Sequence, residues 1–275
     1  NIDPATTVAK AVYFAPDDAW CESLSWLKEN TPDPFGNPDF YYELYQPPPP
    51  GENYKYPESA YGVMAWWDYG HLITRIAHRV PISNPFQQGA GISAQFFTAQ
   101  NEASASKIAG KLASRYVIVD YATAITKFYA LPTWAGGETK FWEVYYQPQG
   151  DRLVPVRVFY PEYYRSLAVR LYNFDGGKVS PQNCAVVSYE EKRSREGVAY
   201  KEVINSQSFP SYKEAEAYIS KQKSGNHRIV GTSPFISPVP LEKLKHYKLI
   251  YSSTAQVKHP DIGLVPAIKI FEYQR

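Results

Sequence analysis

The sequence predicts an α+β fold: a mainly helical core with mixed strands, plus a β-rich insertion or subdomain. Three observations predict it. Apolar residues recur at helical spacing through much of the first half of the chain. Beyond Gly136-Gly137 the texture changes to short apolar or alternating runs separated by turn residues. Helical and strand-like segments do not alternate regularly, as an all-parallel βαβ array requires. The expected divisions are an α-rich core over residues 1–140, a β-rich insertion over 141–204, and a mixed segment over 205–275 that returns to the core.

In chain order, Trp20, Leu24 and Leu27 mark a first helix over residues 19–29, with Asp18 as its N-cap, ending before Thr31-Pro32. Residues 32–57 are dense in Pro, Gly and Tyr and include Pro47 to Pro50. They read as an ordered polyproline-like loop. In residues 71–80, Leu72, Ile73, Ile76, Ala77 and Val80 form an apolar helical face, which places Trp66, Trp67 and Asp68 at a helix N-terminus. A second helix spans 102–114 with Asn101 as N-cap, and 116–119 is a buried strand. A further helix beginning near Asp120 sets Asp120, Ala124, Lys127 and Leu131 near one stripe. Strand-like runs follow at 141–147, 153–160, 168–172, 185–189 and 200–203. The pair Ser211 and Glu214 is a capping box for a helix to about residue 224, stopped by Gly225; strands follow at 229–230, 247–251 and 268–273.

Composition narrows the function. A net charge of +2 from 29 basic and 27 acidic residues supplies no polyelectrolyte field, which argues against nucleic acid as a partner. The 24 Tyr, 13 Phe and 6 Trp suit ring surfaces that meet sugars, peptides or a membrane interface, and equally an ordinary core with Tyr at its edge. No run of eighteen apolar residues occurs. The chain begins at Asn1 with no leader pattern, so it reads as a processed product or a fragment of something longer. Cys21 and Cys184 lack zinc spacing and leave both a disulfide and two free thiols open.

The common nucleophile, metalloprotease and phosphate-loop motifs are absent. His71 and His78 lie seven apart, a poor spacing for a helical metal pair. The tract Trp66-Trp67-Asp68-Tyr69-Gly70 is different. An indole offers only a donor and an ionised carboxylate only acceptors. Two indole N–H groups and one carboxylate can therefore satisfy a hydroxyl completely, and a side chain without the hydroxyl leaves them unpaired. The same residues could instead be a core Trp pair and a helix-capping Asp.

This tract resembles the signature of the oligosaccharyltransferase catalytic subunit, most closely in its archaeal, AglB-type members. The five-residue WWDYG match, Trp66 to Gly70, is intact, and WLKENTP at 26–32, AYGVM at 60–64, RVPISNPFQQ at 79–88 and YKLIY at 247–251 are also similar. The likeness covers most of residues 10–135 and, more thinly, 205–273. It implies a soluble C-terminal domain, on the extracellular face of the cell membrane, that follows a membrane-embedded N-terminal region. It implies transfer of an oligosaccharide from a lipid phosphate carrier to Asn in Asn-x-Ser/Thr of an acceptor polypeptide. A divalent metal, Mn or Mg, would be held by acidic residues outside this chain, so the fragment alone is expected to be inactive. Trp66 and Trp67 would donate to the acceptor Ser or Thr and Asp68 would accept, with Tyr69 and Gly70 in support. A second family element matches Asp120, Lys127 and Leu131, where Leu replaces the usual Met or Ile. The competing readings are an extracellular carbohydrate-binding module with exposed Tyr and Trp faces, and a self-contained glycoside hydrolase.

Overall fold

A computed structural model describes residues 16–37, 39, 46–52, 54–137, 139–223 and 225–274. Its first sheet has the order β2-β1-β3-β12-β9, formed by β1 (Gly62–Met64), β2 (Val80–Pro81), β3 (Ser114–Asp120), β9 (Tyr247–Ser252) and β12 (Ile268–Tyr273). The strands β1, β2 and β3 are mutually parallel, whereas β12 runs antiparallel to both β3 and β9. Alternate residues of β3 serve opposite faces, as a pleated strand requires. Tyr116 and Ile118 pack with Trp20, Leu24 and Leu27 of helix α1 (Asp18–Asn30), while Val117 and Val119 join a larger cluster with Phe96, Phe97, Leu171 and Tyr172. The sheet is thus buried on both sides, and the mixed α and β architecture agrees with the predicted class.

On the larger cluster's face lie α3 (Ala90–Thr98), α4 (Glu102–Lys111), α6 (Pro161–Arg165) and α7 (Leu167–Phe174), the helix α2 (Gly70–Leu72) being part of the motif described below. A second sheet has the order β5-β4-β7-β6-β8, from β4 (Trp142–Gln149), β5 (Arg152–Phe159), β6 (Cys184–Arg193), β7 (Ala199–Phe209) and β8 (His227–Val230). Its fifth strand, β8, comes from beyond residue 204. Helix α8 (Tyr212–Ser220) packs on it, and β10 (Gln256–His259) with β11 (Gly263–Pro266) forms a separate hairpin. No described helix is long and apolar enough to cross a membrane, and Cys21 and Cys184 are free thiols.

Several expectations are corrected. The cap of α1 is Asp17, not Asp18: its carboxylate accepts from the Trp20 amide at 2.9 Å, and Asp18 is already helical. The motif helix does not reach Val80. It runs as a 3₁₀ turn over Trp67–Tyr69, as α2, and as a π turn over Ile73–Ala77, ending at His78 with φ 51°. The left-handed His78 ends it, and Val80, the residue before Pro81, lies in β2, as a residue preceding proline prefers. Residues 120–134 are not one helix. Asp120 is the last residue of β3, paired to Ile268; a π turn spans Ala122–Thr126, and α5 (Ala130–Ala135) starts afresh. Pro132 has no amide hydrogen, so the chain restarts to place it in a first turn, where none is needed. The apolar run 168–172 lies in helix α7 rather than a strand; a wholly buried short run carries no period to tell the two apart. Helix α4 stops at Lys111, where Ala113 turns left-handed at φ 46°. Residues 38, 40–45 and 53 of the proline-rich loop, and Ser224, lie outside the described residues.

Candidate functional site

The parallel strands β1 and β3 lead away from the same end of the sheet. From β1 the chain enters Trp66 to Gly70; from β3 it enters Asp120 to Lys127. Two segments 59 residues apart therefore meet beyond the carboxyl ends of neighbouring parallel strands, the usual place for a binding crevice in such sheets.

Two cross-links join them. Lys127 Nζ donates to Asp68 Oδ2 at 2.8 Å, and Tyr69 OH donates to Asp120 Oδ2 at 2.5 Å. The Thr123 amide donates to Asp120 Oδ1 at 2.9 Å, so both oxygens of that buried carboxylate are held. The Tyr69 ring stacks on Trp20 with centroids 3.8 Å apart, and Lys127 Nζ lies 5.8 Å from the Tyr69 ring centre. The turn that carries Asp68 is thus fixed from below by Asp120 and from the side by α1.

The two carboxylates sit in opposite environments. Burial pushes the Asp120 carboxyl above the usual range, against the hydrogen bonds from Thr123 and Tyr69 and the charge of Lys127. Asp68 keeps a quarter of its side chain exposed and pairs with Lys127. Burial pulls Lys127 down, but its hydrogen bond to Asp68 and the charges of Asp68 and Asp120 outweigh that and hold its pKa up. Burial, and then the Asp120 charge, raise the Tyr69 phenol well above its ordinary value, so it remains a donor.

Trp66 is buried in the larger core cluster, whereas Trp67 is half-buried with its ring 5.9 Å from that of Trp66. The Trp67 Nε1 is buried and has no hydrogen-bond partner. An orphaned buried donor costs about 1–3 kcal/mol, so its retention asks for a ligand acceptor or a bound water. Asp68, with one oxygen on Lys127, has lone pairs left for another donor. Leu131 is buried in the same cluster as Trp66, beside Phe128.

Gly70 fixes the other end of the motif. A Cβ there would lie 2.2 Å from the Ser83 carbonyl oxygen and 2.6 Å from Asn84 Cα, so only glycine allows the two backbones to touch. Ser83 Oγ donates to the Ala65 carbonyl at 3.0 Å and accepts from Ser93 Oγ at 3.0 Å, tying the loop 83–84 to the motif's entry. Among the described residues no three His, Cys, Asp or Glu side chains converge as metal ligands would. These residues do not fit a divalent metal, and no chemical step here runs through one.

The structure therefore brings Asp68 to Lys127 and Tyr69 to Asp120, which their separation in sequence hides. It places Leu131 in the buried cluster that also holds Trp66 and Ala124. Sequence reasoning missed Trp20 as the platform for Tyr69, and Trp134, whose ring lies 6.2 Å from Trp67.

Residues 17–124 match the family described as AglB core domain. The chain is 34% identical over 218 residues to dolichyl-phosphooligosaccharide-protein glycotransferase 3 of Archaeoglobus fulgidus, covering 69% of this chain and 25% of that protein. It is 32% identical over 263 residues to dolichyl-monophosphooligosaccharide-protein glycotransferase AglB of Haloferax volcanii, covering 86% and 24%. The Archaeoglobus fulgidus oligosaccharyltransferase in complex with Zn and sulfate superposes with a TM-score of 0.58 at 25% identity, over 94% of this chain and 35% of that one. The same protein tethered by a disulfide bond to an acceptor peptide containing the NVT sequon gives 0.57 at 25% identity, over 94% and 33%. The chain spans about a quarter of the length of the curated relatives it matches.

Proposed function

The chain belongs to the archaeal oligosaccharyltransferase family of AglB type, and from that premise we propose that it is the acceptor-reading domain of a membrane glycosyltransferase. In this reading it holds the Ser or Thr of an Asn-x-Ser/Thr site while a lipid-linked oligosaccharide is transferred to the Asn. Asp68 accepts from the hydroxyl, and Trp66 and Trp67 donate to it. Lys127 pairs with Asp68 and aims it. Asp120 acts through Tyr69, setting the turn that carries Asp68, and Leu131 supports the wall behind Trp66. Gly70 allows the close approach of the loop 83–84.

The observation that carries this reading is the buried, unpartnered Trp67 Nε1 on the residue adjoining a partly exposed carboxylate. Together they are complementary to a group with one donor and two lone pairs. Anchoring that hydroxyl would replace a loose encounter at the acceptor amide with an ordered one, a positional contribution that needs no covalent chemistry here. The membrane-embedded N-terminal region would bind the lipid-linked donor and hold the divalent metal, and this domain would lie on the extracellular face. The fragment alone would be inactive.

The test is glycan transfer by the full-length enzyme carrying Asp68→Ala, Trp67→Ala or Lys127→Ala, with Asn-x-Thr and Asn-x-Ala peptides. Wild type requires the Thr, and the Asp68 and Trp67 variants lose transfer to Asn-x-Thr while still binding the lipid-linked donor. Normal transfer by both variants would return the motif to a core role and favour carbohydrate binding by exposed aromatic faces.

A further inference from the structure

We infer that the cleft between residues 100–102, 165–170 and 240–245 is an anion site that takes a phosphate group, held by Arg170 and Arg165. The inference is independent of the hydroxyl-reading role proposed for Trp67 and Asp68, because the cleft lies elsewhere. Its wall leads into β9 at Tyr247, which pairs with Tyr273 at the last turn of β12, whereas Asp120 pairs with Ile268 at the first. The cleft and the WWDYG motif are therefore at opposite ends of the first sheet.

Arg79 and Arg170 are both buried, and among the described residues neither pairs with a carboxylate. They differ in every other respect. Each nitrogen of the Arg79 guanidinium donates: Nε to Thr31 Oγ1, Nη1 to the Ala77 and His78 carbonyls, and Nη2 to those of Lys28 and Thr31. Arg79 is thus a strut that closes the carboxyl end of α1. Arg170, 9% exposed, makes one hydrogen bond, from Nη2 to the Glu242 carbonyl, and its Nε is buried without a partner. A guanidinium cannot shed its charge to escape burial. Burial pulls the Arg170 pKa down, and the more distant charges of Glu102 and Glu242 offset only part of that. A buried charge with so few partners is costly, and a bound anion would supply both the charge and the acceptors it lacks.

The surroundings suit one. Arg170 lines a cleft of about 880 Å³ together with Arg165, Lys243 and Lys245, and with Glu102 and Glu242. Four cations face two carboxylates, and the surplus of two matches the charge of a phosphate monoester near neutral pH. Glu102 is already engaged within the wall, where its Oε1 accepts from the Lys245 and His246 amides at 2.7 Å each. Arg165 is steadied by an aromatic residue instead of a carboxylate: its Nη2 donates to Tyr212 OH at 2.8 Å, and its guanidinium carbon lies 5.7 Å from that ring's centre. Its remaining donors are left for an oxyanion, whose geometry the planar guanidinium fork fits. The walls are also cross-linked. Gln100 Nε2 donates to the Glu162 carbonyl at 3.0 Å, and the Leu167 amide to the Ala99 carbonyl at 3.1 Å. With the bonds from Arg170 to residue 242 and from residues 245 and 246 to Glu102, these hold the three segments in place around the cleft.

The experiment titrates the full-length enzyme, kept free of divalent metal, with inorganic phosphate, glucose 6-phosphate and acetate at matched ionic strength, and follows binding by calorimetry. Any site for the donor's phosphate elsewhere in the enzyme is common to wild type and variants, so their difference reads the cleft. Phosphate should bind saturably, and Arg165→Gln and Arg170→Gln should each weaken it about 10- to 150-fold, the size of one hydrogen bond to a charged group. Lys243→Gln and Lys245→Gln, at exposed positions, should weaken it about 2- to 5-fold. If Arg170→Gln fails to fold, the half-buried Arg165 decides. Tighter binding of glucose 6-phosphate than of inorganic phosphate supports a phosphate carried on a larger molecule, and equal binding supports the free ion. The site is overturned if phosphate does not bind saturably, if it binds equally to wild type and the Arg variants, or if acetate binds as tightly as phosphate.

Discussion

The bond from Tyr69 to Asp120 is the structural pin of the site, and its strength can be worked out before measurement. Tyr69→Phe removes one oxygen and leaves the ring stacked on Trp20. The lost bond, 2.5 Å long, ends on a carboxylate that is 5% exposed. A hydrogen bond to a charged group contributes about 1.5–3 kcal/mol, and its loss leaves one buried oxygen unpartnered, so a destabilisation of about 2–3 kcal/mol is expected. In the Asp120→Asn background the phenol faces a neutral amide, and the same change should cost about 1 kcal/mol. The coupling is then about 1–2 kcal/mol, well beyond the few tenths seen for independent sites. Urea unfolding of the four proteins at one fixed pH measures it. A coupling within about 0.5 kcal/mol of zero would mean that the phenol and carboxylate do not depend on each other, and the account of how Asp68 is positioned would fail.

Two further outcomes follow from the same geometry. Gly70→Ala forces a Cβ to 2.2 Å from the Ser83 carbonyl oxygen and should destabilise by more than about 2 kcal/mol, whereas Gly110→Ala, with nothing within 4 Å at the exposed end of α4, should stabilise by about 0.5–1 kcal/mol; urea midpoints that fail to separate the two contradict the close approach. Asp120, with a folded pKa raised by burial, contributes stability that is present below its unfolded value near 4 and lost as pH rises through the folded one. Wild type should therefore lose stability relative to Asp120→Asn from about pH 4 upward and then level off; a relative gain with rising pH would reverse the assignment. Lys127, also raised, loses its share only at alkaline pH, outside that window.

How much was legible follows from where each signal resides. Helix α1, the cap Asn101, the capping box Ser211 with Glu214, and strand β12 were legible because each is local: one face, one cap or one alternating run fixes it. In the WWDYG tract the sequence showed a donor-only group beside an acceptor-only one, and in the structure a buried, unpartnered Trp67 Nε1 adjoins the partly exposed Asp68. The path from Asp120 to Leu131 was misread because its spacing fits a helix, while the ladder between β3 and β12 claims Asp120 and Pro132 restarts the chain. The Asp68–Lys127 contact was invisible to periodicity, because it arises from two parallel strands ending together. The role of Trp20 was hidden for a similar reason: as an inward residue of an amphipathic helix it looks like any other core aromatic, and only the sheet brings its ring under Tyr69.

On the proposed hydroxyl-reading role, the opposite environments of the two carboxylates also bound how strongly the surface would discriminate. A fully dry hydroxyl site rejects the analogue without the hydroxyl by several orders of magnitude, because every buried partner is left unpaired. Here Asp68 retains a quarter of its side chain in solvent, so water can take the place of a missing hydroxyl on the carboxylate. The Trp67 Nε1 is buried away from bulk solvent, so losing the hydroxyl leaves it either orphaned or served by a water that must be immobilised there. Of the two indoles, Trp67 is the one whose Nε1 stands buried without a partner, so the penalty for an acceptor lacking the hydroxyl would come mainly from that donor, about 1–3 kcal/mol, or roughly a 5- to 150-fold preference supplied by this surface alone. A Thr-over-Ala ratio far above that range in the full-length enzyme would mean that closure against the membrane-embedded region dries Asp68 as well. A ratio within it would mean that the half-open pair seen here already provides the whole of the selection.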